Sequence, residues 1–201
     1  MSNYTKIKNY TDKQLINKVK SLSSFKEIPK EEWMLVISSL EDTSDTFDDK
    51  IYFFKGEKFI MVTSGTANSG KYYLNNPLNS KGTAIIATNQ WVYNMYAKSD
   101  GKTVRHHNDR MECLRQVSNQ CLYYRDNNKD DKVDEIGSLY KGNYSTNYHT
   151  NSYTKMSGLW TWIIGKFGAG CIVTNNISEF YKFLNMLEPK QKVSLCIIKE
   201  F

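Results

Sequence analysis

Seven short apolar runs constrain what this chain can fold into. Residues 33–37, 51–54, 59–63, 82–87, 91–96, 121–124 and 193–198 each hold four to six residues rich in branched or aromatic side chains, with polar, turn-forming segments between them. Runs of that length suit strands and are short for helices. Fourteen tyrosines and nine phenylalanines favour sheet as well, because aromatic side chains fit a pleated, half-buried surface. Strands outnumber helices and no β-α-β alternation runs through the chain. The expectation is a mainly β fold, an antiparallel β-sandwich or barrel with short peripheral α-helices.

Two helices punctuate that pattern. Thr11-Asp12-Lys13-Gln14 reads as a capping box, and Leu15, Ile16, Val19 and Leu22 fall on one helical face, predicting a helix over 12–23. The segment 21–29, from Ser21 to Pro29, ends it, so residues 1–29 are expected as an N-terminal helical appendage on a main domain of residues 30–201. Near the other end, Ser178 is the expected cap of a helix that turns Phe180, Tyr181, Leu184 and Leu187 inward and stops near Pro189. Residues 51–63 read as a hairpin turning at Lys55-Gly56-Glu57. In the small-residue loop 64–70, Gly65, Gly70 and Lys71 have the spacing of a phosphate-binding loop. Tyr72 occupies the hydroxyl position needed for magnesium, and no helix is expected to follow, so that reading is set aside.

A length of 201 residues suits one domain with a sizeable core. The net charge of +6 favours anionic surfaces, yet the basic residues are scattered and no nucleic-acid motif is present, so no specific nucleic-acid partner is expected. No apolar run approaches membrane-spanning length, and the polar start of the chain does not read as a secretory signal. Cys113, Cys121, Cys171 and Cys196 are too sparse for a disulfide scaffold and lack metal-ligand spacing, which suits a reducing compartment. Cys196 lies in an apolar run and reads as packing, and residues 105–110 read as an exposed polar turn.

The chemistry concentrates between residues 147 and 176. Asn147-Tyr148-His149-Thr150 is followed, past a polar and aromatic connector, by Gly168-Ala169-Gly170-Cys171-Ile172-Val173. A thiol attacks as thiolate, so a reactive cysteine needs a base, and His149 is the nearest in sequence. Glycines on both sides of Ala169 let the backbone turn sharply, so that amides around Cys171 can face a developing oxyanion. The competing reading is a glycine-led turn entering a core strand, with Cys171 as packing.

These segments resemble the motif of L,D-transpeptidases, His-Gly followed by Ser-His-Gly-Cys-(Ile/Val)-Arg. They are closer still to phage-encoded relatives with Asn-x-His followed by Ser-Ala-Gly-Cys. Weaker similarity runs from about Trp33 to the chain end, through Phe47-Asp48-Asp49, Tyr72-Tyr73-Leu74, Lys81-Gly82-Thr83-Ala84 and Tyr124-Arg125-Asp126-Asn127-Asn128. The resemblance implies an L,D-transpeptidase-like fold with Cys171 as nucleophile, His149 as base and Gly170 as the motif glycine. Asn147 and Tyr148 become candidates to orient the imidazole or bind substrate, as do Gly168 and Ala169 at the motif's serine and histidine positions. Loop 64–70 would wall the site. Val173 stands where the family has a substrate-orienting arginine, so the chemistry carries over better than the substrate does.

The implied activity is cysteine acyl transfer on peptidoglycan stem peptides, by hydrolysis or transpeptidation. The protein would be made in the bacterial host cytoplasm and act at the cell wall after lysis or as part of a phage particle. The alternatives are a catalytically silent wall-binding or virion structural protein, and a cysteine hydrolase of another amide substrate. No cofactor is required by this chemistry. One further stretch suggests a structural calcium: Asp126, Asn128, Asp130 and Asp134 occupy positions 1, 3, 5 and 9 of a calcium-type loop. Asp131 at position 6 and Gly137 at position 12 depart from that loop, leaving an acidic hairpin turn as the competing reading.

Overall fold

The computed structural model describes residues 7–41, 43–98, 105–106, 111–155, 158 and 161–201. Its elements in chain order are α1 (Asp12–Lys20), β1 (Glu32–Ser38), β2 (Asp49–Lys55), β3 (Lys58–Gly65), α2 (Lys71–Asn75), β4 (Thr83–Ile86), β5 (Gln90–Lys98), β6 (Arg105–His106), β7 (Met111–Gln116), β8 (Leu122–Asp126), β9 (Tyr140–Lys141), β10 (Asn147–Thr150), β11 (Ile172–Thr174), α3 (Ile177–Met186) and β12 (Lys192–Lys199). The mainly β expectation holds.

Eight strands run in the order β11-β10-β7-β5-β12-β1-β2-β3, with β6 as an extra partner of β7. The two ends of this sheet meet: Thr66, just past β3, exchanges hydrogen bonds with Val173 of β11, N to O at 2.8 Å and 2.9 Å. The sheet thereby all but closes into a barrel, which satisfies backbone groups that an open edge would expose. All eight strands send residues into one core cluster, among them Met34, Phe53, Met61, Tyr96, Leu114, Tyr148, Ile172 and Leu195, and Phe180, Phe183 and Leu184 of α3 belong to the same cluster. Helix α3 therefore packs on the barrel's inner face, where the Phe183 ring lies 4.0 Å from that of Phe53.

The opposite face of β1 turns Trp33, Leu35 and Ile37 toward Leu15, Ile16 and Val19 of α1. Burial on both faces explains why β1 is apolar from Trp33 to Ile37 instead of alternating. The capping box that begins α1 is present: the Thr11 side chain accepts from the Gln14 backbone, and the Gln14 side chain accepts from the Thr11 backbone. A smaller sheet, β4-β8-β9, packs alongside, with Ile86 in the inner cluster.

Four local expectations are corrected. A short helix, α2, does follow loop 64–70, with Gly70 as its N-cap. Asn176, not Ser178, caps α3, its side chain accepting from the Glu179 amide at 3.2 Å. The Ser178 hydroxyl instead accepts from the Gly158 amide at 2.7 Å. Arg105 and His106 are strand, where an exposed turn was expected; residues 107–110 of that stretch lie outside the described residues. The sheet is also not antiparallel throughout: β1 pairs with β12, and β10 with β11, in parallel. Among the described residues, no helix is long and apolar enough to cross a membrane.

Candidate active site

The parallel pair β10/β11 carries both halves of the motif. Its register matches Tyr148 with Ile172, His149 with Val173 and Thr150 with Thr174. Side chains alternate across a sheet, and Tyr148 and Ile172 lie in the inner cluster, so His149 and Val173 occupy the outer face. Cys171, two residues before Val173, shares that face and clusters with Phe47, Ile164 and Val173. His149 on β10 and Cys171 immediately before β11 are thus placed diagonally by the register, across the intervening connection.

Parallel neighbours cannot be joined by a hairpin and need a crossover. The segment 151–171 supplies it, and its described residues Ile164 and Phe167 pack with Cys171 and Val173 on the outer face. Several bonds pin this strap: the Gly165 amide donates to Asp45 Oδ1 at 2.7 Å, Asn175 Nδ2 donates to the Thr161 carbonyl at 2.8 Å, and the Ile177 amide donates to the Gly158 carbonyl at 3.0 Å. The strap explains a departure from expectation. An open groove was expected at the two residues, whereas Cys171 is 5% exposed and His149 0%.

His149 Nδ1 lies 2.6 Å from the carbonyl oxygen of Thr150. An Nδ1–H donated to that carbonyl leaves the basic lone pair on Nε2. The imidazole is therefore oriented by a backbone carbonyl, a partner that neither Asn147 nor Tyr148 supplies. Tyr148 points the other way, fully buried with its ring 5.3 Å from Phe180. Asn147 is on the site face, and its carboxamide donates to the Ser145 carbonyl at 3.3 Å. Burial pushes the Cys171 thiol up to about 11, opposed by a hydrogen bond from the Asn147 backbone. At rest the thiol is protonated.

On the other side of His149, β7 places Cys113 directly opposite it. Burial pushes this second thiol up to about 12, with Cys171 adding to the rise and Arg115 opposing it. Cys113 was not anticipated as a neighbour, because nothing local in residues 111–116 ties them to His149. Arg115, one row along, stands opposite Asn147 and is exposed.

The small residues before the sulfur have structural work. Gly170 has φ of +100°, and a Cβ there would sit 2.8 Å from the Ala84 carbonyl oxygen, so only glycine lets β4 approach so closely. The Gly168 carbonyl accepts from the Gly70 amide at 2.9 Å, and a Cβ on Gly168 would press on Ile164 Cγ2 at 2.9 Å. Ala169 is half-buried between them. Loop 64–70 therefore runs beside the Cys171 segment, tied to it at Thr66 and Gly70. Val173, where the family arginine was expected, is fully buried under the strap beside Phe47 and Ile164.

Buried polar residues gather here, among them Thr66, Asn68, Ser69, His149, Asn151 and Asn175. The Asn151 carboxamide is fully buried and hydrogen-bonds no side chain or backbone group among the described residues. Leaving such a group unsatisfied costs about 1–3 kcal/mol, the kind of cost a fold carries at functional positions.

The acidic stretch closes on itself. Asp126 accepts from the Asp134 and Asn128 amides at 3.1 Å and 3.4 Å, while Asn128 Nδ2 donates to Asp134 at 2.7 Å and to Asp130 at 3.2 Å. The carboxylates thus converge on an amide donor, and among the described residues no three acidic, histidine or cysteine side chains form a metal-holding group. The Asp126 carboxyl is raised above its usual range, by burial first and then by Asp134 and Asp130 nearby, against the two backbone bonds.

Comparison with known proteins adds no relative: no protein-family model matches the chain, and neither a curated protein nor a solved structure matches it at a significant level.

Proposed function

We propose that the chain is a cysteine acyl-transfer enzyme acting on peptidoglycan stem peptides. The observation that carries this reading is the placement of His149 on β10 and of Cys171 at the start of the neighbouring β11, on one face of the sheet, with the imidazole oriented through Nδ1 by the Thr150 carbonyl. Because the thiol is protonated at rest, His149 acts as general base during attack. Nε2 takes the proton from sulfur as sulfur bonds to the peptide carbonyl carbon, and amides at Gly170 and Cys171 hold the resulting oxyanion. Collapse breaks the carbon–nitrogen bond, His149 returns the proton to the departing amine, and a thioester remains on Cys171. Water resolves it in a hydrolase, and a second amine in a transpeptidase.

Entry of substrate requires the strap to lift, since neither reacting group is open to solvent. The protein would meet its substrate after host lysis or within a phage particle. The test is digestion of peptidoglycan fragments by the wild-type protein and by Cys171→Ala, with separation of the products. Cleaved or cross-linked stem peptides from the wild type alone support the reading. Cleavage that survives the substitution defeats it.

The burial of Cys171 and its raised titration also favour a second reading, a catalytically silent wall-binding or virion module. Absence of any thiol-dependent product, together with binding to wall material, selects that module. A reactive thiol that leaves peptidoglycan untouched selects a hydrolase of another amide.

A further inference from the structure

Outside the strap, an aromatic shelf adjoins the nucleophile segment. Helix α2 contributes Tyr72 and Tyr73, whose rings meet edge to face at 5.2 Å. The strap contributes Tyr153 and Phe167, with rings 5.2 Å apart. The two sides are joined by the Gly70–Gly168 hydrogen bond and by the Tyr73 hydroxyl, which donates to the Lys166 carbonyl at 3.4 Å. Burial raises the Tyr73 hydroxyl, and Tyr72, Tyr153 and Cys171 add to the rise; Gly168, bonded to the N-cap of the helix, stands three residues before the sulfur.

Unlike the reacting pair, the shelf is open to solvent. Tyr72 is 43% exposed, Tyr153 41% and Trp162, in the same strap, 60%. Exposed rings gathered in one place mark a binding surface more often than chance exposure does. Their charge is distinctive too. Lys166 Nζ lies 4.2 Å from the centre of the Tyr72 ring, and among the described residues it makes no ion pair. The other nearby lysines are engaged, Lys71 with Asp131 at 3.3 Å and Lys155 with Glu112 at 3.1 Å. The shelf thus offers aromatic rings beside the Lys166 ammonium, which rests on the Tyr72 ring and makes no ion pair among the described residues, an arrangement that complements a ligand carrying a saturated ring and a carboxylate.

We infer that the Tyr72–Lys166 shelf binds the glycan-proximal part of the substrate, so that the site prefers glycan-linked stem peptides to free ones. The sugar ring lays its C–H face on the aromatic surface, and Lys166 pairs with a carboxylate of the peptide. This inference rests on the proposed function for the identity of the substrate, but binding tests it without turnover.

The experiment measures calorimetric affinity of the Cys171→Ala protein for a disaccharide-linked stem peptide and for the same peptide without sugar. The glycan-linked form is expected to bind about tenfold more tightly, equivalent to about 1.4 kcal/mol. Adding Tyr72→Ala or Lys166→Ala should bring the ratio close to one while the melting temperature holds. A ratio near one in the starting protein overturns the inference, as does a preference that survives both substitutions, or no binding of either ligand. Failure of the acyl-transfer reading shows separately, as a wild-type protein that forms no product.

Discussion

His149 hydrogen-bonds through Nδ1 to the carbonyl oxygen of Thr150, its own chain neighbour, at 2.6 Å. The bond fixes the ring from behind with a group that no side-chain substitution removes, and it assigns Nε2 as the basic nitrogen. Replacing His149 with alanine should therefore slow Cys171 acylation by about 10²–10⁴-fold, the usual contribution of a positioned base. Single-turnover kinetics with a peptidoglycan fragment measure this, and an unchanged rate would remove His149 from the mechanism.

Stability should decline in alkali. Folded-state burial raises Cys171 to about 11 and Cys113 and Cys121 to about 12, against the ordinary thiol value of 9.0. The unfolded chain then loses these protons first as pH rises, so the stabilisation is complete below about pH 9 and disappears as pH climbs through the folded values. Urea midpoints from pH 7 to 10.5 should fall above pH 9, and less steeply in Cys113→Ala. A midpoint flat across that range would mean that the thiols are not buried in solution.

Gly170→Ala tests whether the motif glycine serves packing as well as chemistry. With φ of +100° and the Ala84 carbonyl in the way, alanine should cost about 1–3 kcal/mol of folding stability. Denaturant titration reads this directly, and an unaltered midpoint would show that the β4 contact is soft.

Much of the barrel is legible in the sequence, because apolar runs such as 33–37 and 193–198 name their strands without ambiguity. Strands β7 and β10 are not. Met111–Gln116 mixes core Leu114 with Glu112, which pairs with Lys155, and with exposed Arg115, and Asn147–Thr150 is polar at three of four positions although every one is buried. That burial comes from the strap crossing above and the core below, neither of which is local. Parallel register is also invisible locally: β1 and β12 meet from opposite ends of the chain. The Cys171–His149 pairing was visible as motif chemistry, whereas the Thr150 carbonyl and Cys113 enter only through backbone geometry and cross-strand register.

The acidic loop should be indifferent to calcium. Its carboxylates are held by the Asn128 carboxamide and by backbone amides, so millimolar calcium or a chelator should leave the melting temperature unchanged. A rise with calcium would report an ion bound to the folded state and would identify Asp126, Asn128, Asp130 and Asp134 as its ligands.

The central claim is that Cys171 forms a covalent acyl intermediate, and intact-mass spectrometry of the protein mixed with peptidoglycan fragments tests it most directly. The account predicts a transient mass increase equal to an acyl stem-peptide fragment, mapped by digestion to Cys171, absent in Cys171→Ala and retained when Cys196 is replaced. An adduct mapped to Cys113, or product formation with no adduct on Cys171 under rapid quenching, would contradict it.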